Sequence, residues 1–318
     1  MIKKQTKSRS RARVMGQILN DVTSGQFLSA SLAKHKKTFG TFAINIIKVG
    51  EEAGILDQNL EYLADELRKR QELKKKVIGA MIYPAFITLA TLGVTTLITV
   101  YIFPKIMPIF QSLGANLPIT TRMLITASSF MGNYGFYAIS AFAALLFVLF
   151  MIYKKFTPFN LLINRVILVI PVFGHLYQSY NMANLCRTFG LLLNCQVGVI
   201  NAANITADAT SNLMYKREIR TLAEEITKGK RISMHLEQRT RLFPDMVPQL
   251  TAIGETAGNL GETLLYLSDH YESEVSDLTR NLSNSIEPIL LVGMGIVVGF
   301  VAVSVITPIY ELTQNIHP

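Results

Sequence analysis

Glu287 has the most demanding setting of any residue in the chain. It is a carboxylate just inside the run IEPILLVGMGIVVGFVAVSVITPIY, Ile286 to Tyr310, which is apolar beyond it, and Pro288 follows at once. A charge in hydrocarbon is costly unless it is paired or close to an interface, so two roles stay open. The side chain snorkels to cytoplasmic headgroups, or, with Pro288 loosening the helix, it lines a groove that handles a polar group of another segment. Two glycine–glutamate motifs are the other marked features: Gly50-Glu51-Glu52-Ala53-Gly54 and Gly254-Glu255-Thr256-Ala257-Gly258. Without a Cβ, Gly50, Gly54, Gly254 and Gly258 suit close helix or turn packing and positive φ, ahead of direct partner contact. Glu51 and Glu255 suit capping of helix N-terminal amides or an intramolecular salt bridge, ahead of a docking role. Gly295 and Gly299 form a small-xxx-small pair that fits self-association or packing within the chain.

Chemistry of bond making finds no equivalent support. His35, His175, His235, His270 and His317 have no i, i+4 pairing and no cysteine companions at metal spacing, so no metal site is expected. The glycine-rich stretch GETAGNLG, Gly254 to Gly261, lacks the lysine of a phosphate loop, and helix ends or a tight turn explain it better. No G-x-S-x-G element occurs. Catalytic, cofactor-binding and metal residues are therefore none, and no enzymatic role is expected. Cys186 and Cys195, nine positions apart in a helical stretch, do not share a face closely enough to bridge, which fits a reducing cytosol.

The elements that would position these residues repeat. The two motifs align at 254 − 50 = 204, and the same offset pairs Gly25 with Gly229, Ser29 with Ser233, Leu32 with Leu236, Pro84 with Pro288, and Pro104 with Pro308. After each motif comes an amphipathic set, Leu60, Leu63, Ala64, Leu67 and Leu264, Leu267, Ser268, Tyr271. The second copy also has an upstream helical stretch from Tyr180 to Ile226 for which the first has no room. The first copy is thus expected to be a partial bundle with an apolar face that needs a partner or the neighbouring copy.

Half of the 318 residues are hydrophobic, yet 31 are Lys or Arg and the net charge is +9, so apolar and charged residues must be segregated. Val77–Phe103, Tyr134–Tyr153 and Ile286–Tyr310 are long enough to cross a bilayer. The apolar run Leu161–Phe173, interrupted by Arg165 and Pro171, is expected to be a buried or surface-lying helix. Basic flanks before the first span, after the second and before the third place those ends in the cytoplasm. The expected order is a helical module over 1–79, a span over 80–103, an external loop over 104–133, a span over 134–153, a module over 154–285, a span over 286–310 and an external tail over 311–318. The fold class is an all-α integral membrane protein with two related cytosolic modules and three transmembrane helices. The N-terminus lacks the apolar core of a signal peptide. Its basic run Lys3–Arg13 reads as a solvated tail drawn to anionic lipid rather than to nucleic acid, since no aromatic platform accompanies it.

A set of ordered motifs spanning Val14 to Gln314 resembles one family. They are GEEAGILDQNLEYLA, AMIYP with Tyr83 and Pro84 entering the first span, IFPKIMPIFQSLGANLPITTRMLI, ANLCRTFGLLLNCQVGVINA, RLFPDMVPQLTAIGE, GETAGNLGETLLYLS and SIEPILLVGMGIVVG. The chain resembles the bacterial type II secretion F and type IV pilus PilC inner-membrane platform proteins. That resemblance implies a multi-pass inner-membrane protein that contacts a cytosolic hexameric assembly ATPase and helps move pilins or pseudopilins into a filament. In the groove reading, as opposed to snorkelling, Glu287 would then handle a polar group on a pilin segment. The expected partners are that ATPase, pilins, other inner-membrane assembly proteins, membrane lipid and further copies of the chain as a homo-oligomer, with no nucleic acid. A cytoplasmic N-terminus and an external C-terminus complete the expectation. A small membrane transporter or permease subunit is the alternative reading, and a membrane receptor ranks below it for want of an outer sensing domain.

Overall fold

The computed structural model describes residues 9–112, 119–155, 166 and 173–314, and all regular structure among them is helical. Two compact units emerge, Met1–Lys76 with Asn160–Leu278, and Val77–Phe159 with Thr279–Pro318.

In the first unit the opening helices are α1 (Arg9–Thr23), α2 (Leu28–Ala33), α3 (Lys36–Ala53) and the start of α4 (Leu56–Leu97). Further along lie α7 (Phe173–Asn194), α8 (Val199–Ala209), α9 (Leu213–Thr227), α10 (Ile232–Glu237), α11 (Met246–Ala257) and the start of α12 (Leu260–Gln314). The duplication is visible in the boundaries. Shifting α1 and α2 by 204 lands on α9 and α10, the end of α3 lands on the end of α11, and the start of α4 on the start of α12. Gly25 and Gly229 both turn the chain with positive φ, 84° and 79°. Gly40, at φ 79°, breaks α3 one turn after it begins.

α7 is the organising helix of this unit. Asn181, Met182, Ala183, Leu185, Cys186, Arg187, Thr188, Phe189 and Gly190 are all buried, which a helix exposed on one side cannot achieve. One side meets α12, where the Ser268 hydroxyl donates to the Ala183 carbonyl at 2.8 Å. A Cβ on Gly190 would come within 2.8 Å of the Gly261 carbonyl oxygen, so the backbones approach as closely as glycine permits. The opposite side meets α4 through Arg70 and Thr188. α3 packs on α8, so the first copy covers its apolar side with helices of the second.

The second unit holds the remainder of α4, a π-helical segment Ile98–Ile102, α5 (Phe103–Ser112), α6 (Ile119–Lys155) and the remainder of α12. Two helical stretches, Leu56–Ile106 and Leu260–Thr307, are long and apolar enough to cross a membrane. Only 6% and 11% of their most apolar eighteen-residue parts are buried, whereas a core helix of a water-soluble protein hides its apolar surface. Two prolines shape these helices. Pro104 and Pro308 each remove the donor for the carbonyl four residues earlier, Val100 and Ser304. At Val100 the helix shifts into the π register. At Ser304 the freed carbonyl accepts the Thr121 hydroxyl of α6 at 2.8 Å, in a site where Phe103, Thr121 and Ser304 are fully buried.

Two expectations change. The segment 104–133 is not one loop: the helix runs through Pro104 after the π turn to Ser112, and α6 starts at Ile119. The basic run Lys3–Arg13 is not wholly a tail, since α1 begins at Arg9 and buries Ile18 on one face. The run Leu161–Phe173 lies, apart from Val166 and Phe173, outside the described residues, as do residues 1–8.

Candidate functional site

The glycine–glutamate motifs are built twice to one plan. The helices α2 and α10 have six residues each and no side-chain cap of their own, so their first amides lack partners. Glu51 supplies them from α3: its two carboxylate oxygens accept from Leu28 N at 2.5 Å and Ser29 N at 2.9 Å. Glu255 does the same from α11, accepting from Ile232 N at 2.6 Å and Ser233 N at 3.1 Å, with the Ser233 hydroxyl donating at 2.6 Å. An ionised carboxylate at a helix N-terminus gains charge-assisted bonds and a favourable dipole.

The glycines have two distinct duties. Gly54 and Gly258 end α3 and α11 in the left-handed region, φ 72° and 75°, and Ile55 N and Asn259 N close the turns on the carbonyls of Gly50 and Gly254 at 2.9 and 3.1 Å. Gly50 and Gly254 let the next helix cross: a Cβ would lie 3.0 Å from Leu56 Cα in one copy and 2.6 Å from Thr263 Oγ1 in the other. All these contacts are internal to the unit.

A polar seam joins the copies. Glu66 on α4 has a fully buried side chain and pairs through Oε1 with Arg70 Nε. Its Oε2 accepts no hydrogen bond and faces Arg187 Nε at 3.8 Å. Arg187 on α7 donates to Ser268 Oγ at 2.9 Å, to Asp269 at 3.1 Å and to Glu272. Arg70 reaches Thr188 and stacks 4.8 Å over the Phe42 ring, and Lys76 donates to Ser276 at 3.1 Å. Burial pushes the Glu66 carboxyl above its ordinary range, against the pull of Arg70 and Arg187. No sequence motif marks this cluster. Its signal was a break in the repeat, since Glu66 and Arg70 answer to His270 and Glu274, together with Arg187 in the apolar setting LCRTFGLLL.

A second acid recurs beneath the caps. Asp21 accepts from Ser31 and Lys34, both at 2.8 Å, and Glu225, 204 residues on, meets His235 Nδ1 and Lys230 Nζ, both at 3.0 Å. Hydrogen bonds from the lysines, first, hold both carboxyls below their usual range.

The residues singled out on the apolar helices are not gathered with these motifs. Tyr83 and Glu287 are exposed, and Pro84 and Pro288 lie within the continuous helices α4 and α12. A Cβ on Gly295 or Gly299 would meet nothing within 4 Å, so among the described residues this pair packs against no other helix. Cys186 and Cys195 are buried and free, and among the described residues no cluster of three metal-ligating side chains occurs.

Helices that repeat at one period, with two of the helical stretches long, apolar and largely uncovered, define an all-α class with helices suited to crossing a membrane. Within that class the family is specific. Residues 1–104 and 185–308 match the family described as type II secretion system (T2SS), protein F, and the chain belongs to it. The two matched segments end 204 residues apart, the period of the repeat. The chain is 31% identical over 312 residues to the type IV pilus assembly protein PilC of Thermus thermophilus, covering 98% of this chain and 76% of that protein. It is 29% identical over 300 residues to the PilC protein of Pseudomonas aeruginosa, covering 94% and 80%. To the type II secretion system protein F of Aeromonas hydrophila it is 29% identical over 307 residues, covering 96% and 78%.

Proposed function

We propose that the chain is the inner-membrane platform protein of a type IV pilus or type II secretion assembly machine. It couples a cytosolic assembly ATPase to the extraction of pilins or pseudopilins from the membrane and to filament growth. The observation that carries this reading is the family match falling on both copies of the repeat, each a soluble helical unit continuing into an apolar helix. In this reading the helices crossing the bacterial inner membrane are those around 80–103, 134–153 and 286–310. The two modules and the N-terminus lie in the cytoplasm, and the C-terminus lies outside. The chain has no catalysis of its own. It transmits force between an ATPase and membrane-held subunits, together with other inner-membrane assembly proteins and further copies of itself.

The test is deletion of the gene with complementation. Loss of surface filaments or of secretion, restored by the chain, and co-purification with the assembly ATPase are the expected results. Normal assembly in the deletion strain, or solute flux through the purified chain in liposomes, refutes the reading in favour of a transporter. Labelling of single cysteines introduced at Glu52 and Thr256 from the cytoplasmic side only is expected for the topology.

A further inference from the structure

We propose that a basic cleft in the first unit, lined by both copies, is the docking site for an acidic polypeptide segment of a cytosolic partner. The cleft encloses about 880 Å³ between α3, α4 and the end of α8. Lys34, Lys36, Lys37 and Arg70 line it, and Asp208 is the one acid among its lining residues. A neighbouring recess of about 320 Å³ shares Arg70 and Ala209 with it and adds Lys74. Volumes of this size bury a ligand segment rather than a single ion.

The charges are not balanced from within. Lys34 is held by Asp21, and Arg70 by Glu66. Asp208 is already neutralised by Arg220 at 2.7 Å and Lys216 at 3.8 Å, and feels Lys36 besides. Among the described residues Lys36, Lys37 and Lys74 make no salt bridge, whereas Lys48, Arg68 and Lys69 each have an acid at i+4 or i−4. Unpaired like charges converging on a concavity repel one another, and a complementary anion relieves that repulsion. The floor is apolar, with Phe42 buried and Leu67 half exposed. Such a site fits carboxylates alternating with apolar side chains. A flat bilayer cannot reach that floor, and the Phe42 ring is already covered by Arg70.

The repeat isolates the feature. Positions matching Lys34, Lys36 and Lys74 in the second copy are Gln238, Thr240 and Leu278, so the shared architecture does not need these cations.

The inference rests on the platform reading only in placing this unit in the cytosol. Its test uses the purified full chain in nanodiscs of zwitterionic lipid. The probe is a fluorescent synthetic peptide of alternating Glu and Leu, with a Gln version as control. Expected is salt-sensitive binding of the Glu peptide that weakens about tenfold or more in Lys36→Glu/Lys37→Glu/Lys74→Glu, but not in Lys228→Glu/Arg231→Glu/Arg241→Glu, with both variants keeping the wild-type unfolding temperature. Equal loss in both variants would mean diffuse attraction and overturns the proposal. So does absence of wild-type binding at low salt. Loss of binding to anionic vesicles with peptide binding retained assigns the cations to lipid and also overturns it. None of these outcomes depends on filament assembly, so failure here leaves the complementation result standing by itself.

Discussion

Replacing Arg187 by Met should destabilise the first unit strongly, and adding Glu66→Leu should restore much of the loss. The magnitude follows from where Arg187's partners lie. The Asp269 side chain is 68% exposed and returns to water at little cost, as exposed pairs contribute about 0–1 kcal/mol. Glu272 is 19% exposed and keeps Lys76 at 3.9 Å. The Glu66 side chain has no exposure and keeps Arg70 while losing Arg187 at 3.8 Å, so its weakened pairing dominates the cost, with about 3–5 kcal/mol, that of a fully broken buried pair, as the upper bound. For a unit of this size that bound corresponds to a fall of roughly 6–20 °C in midpoint temperature. In the double variant the apolar replacements fill the seam without a buried charge, and Arg70, partly exposed, keeps Thr188 and the Phe42 ring. The assay is unfolding followed with a thiol-reactive dye. Both cysteines lie in this unit and are buried, and burial pushes the Cys186 thiol up to about 12, so the folded state does not react. An unchanged midpoint in Arg187→Met, or a double variant no better than the single one, would refute the reasoning.

Three further outcomes are expected. Because burial raises the Glu66 carboxyl, the folded state binds a proton more readily than the unfolded one between the raised value and the ordinary value of about 4.3, so this residue's contribution to stability rises as pH falls through that window. Glu66→Gln removes that rise, and parallel midpoint-versus-pH curves for wild type and variant would count against it. Glu255→Ala should cost about 0.5–2 kcal/mol and speed amide exchange at Ile232 and Ser233, measured by hydrogen–deuterium exchange; unchanged protection would show that the cap is dispensable. Thr121→Val strands the Ser304 carbonyl and should cost about 0.6–1.7 kcal/mol, read as easier unfolding in detergent, with Thr121→Ser near wild type.

The features legible in the sequence are those set by local chemistry or by repetition. The apolar runs announced the long helices, and the 204-residue period carried over to helix boundaries and positive-φ glycines alike. Glu51 and Glu255 were readable as caps because a carboxylate after a helix-ending glycine motif has few other intramolecular uses. What each of them caps was not readable, since Leu28 and Ile232 lie over twenty residues away. The Glu66–Arg187 seam joins residues from different copies, and no periodicity links such a pair. Thr121 and Ser304 posed the same difficulty: the missing donor at Pro308 is visible in the sequence, but the helix that satisfies Ser304 is not. The helical continuation past Pro104 is not legible because a proline in mid-helix reads as a break, whereas here the π turn at Ile98–Ile102 accommodates it.

The repeat also separates architecture from purpose. Residues held in common, Gly50, Glu51 and Gly54 with Gly254, Glu255 and Gly258, direct their bonds inward and serve the same turns and caps in both copies. Where the copies diverge, the consequences differ. Glu66 and Arg70 against His270 and Glu274 join the first copy to α7, while Glu274 turns instead to His175 and Ser179 at 2.9 Å within its own copy. Lys36 and Lys74 against Thr240 and Leu278 put unpaired charge on one copy alone. A duplicated bundle with identical surfaces would present the same face twice. Divergence at these positions gives the unit, among its described residues, an internal seam between the copies and a charged cleft that the repeat does not duplicate.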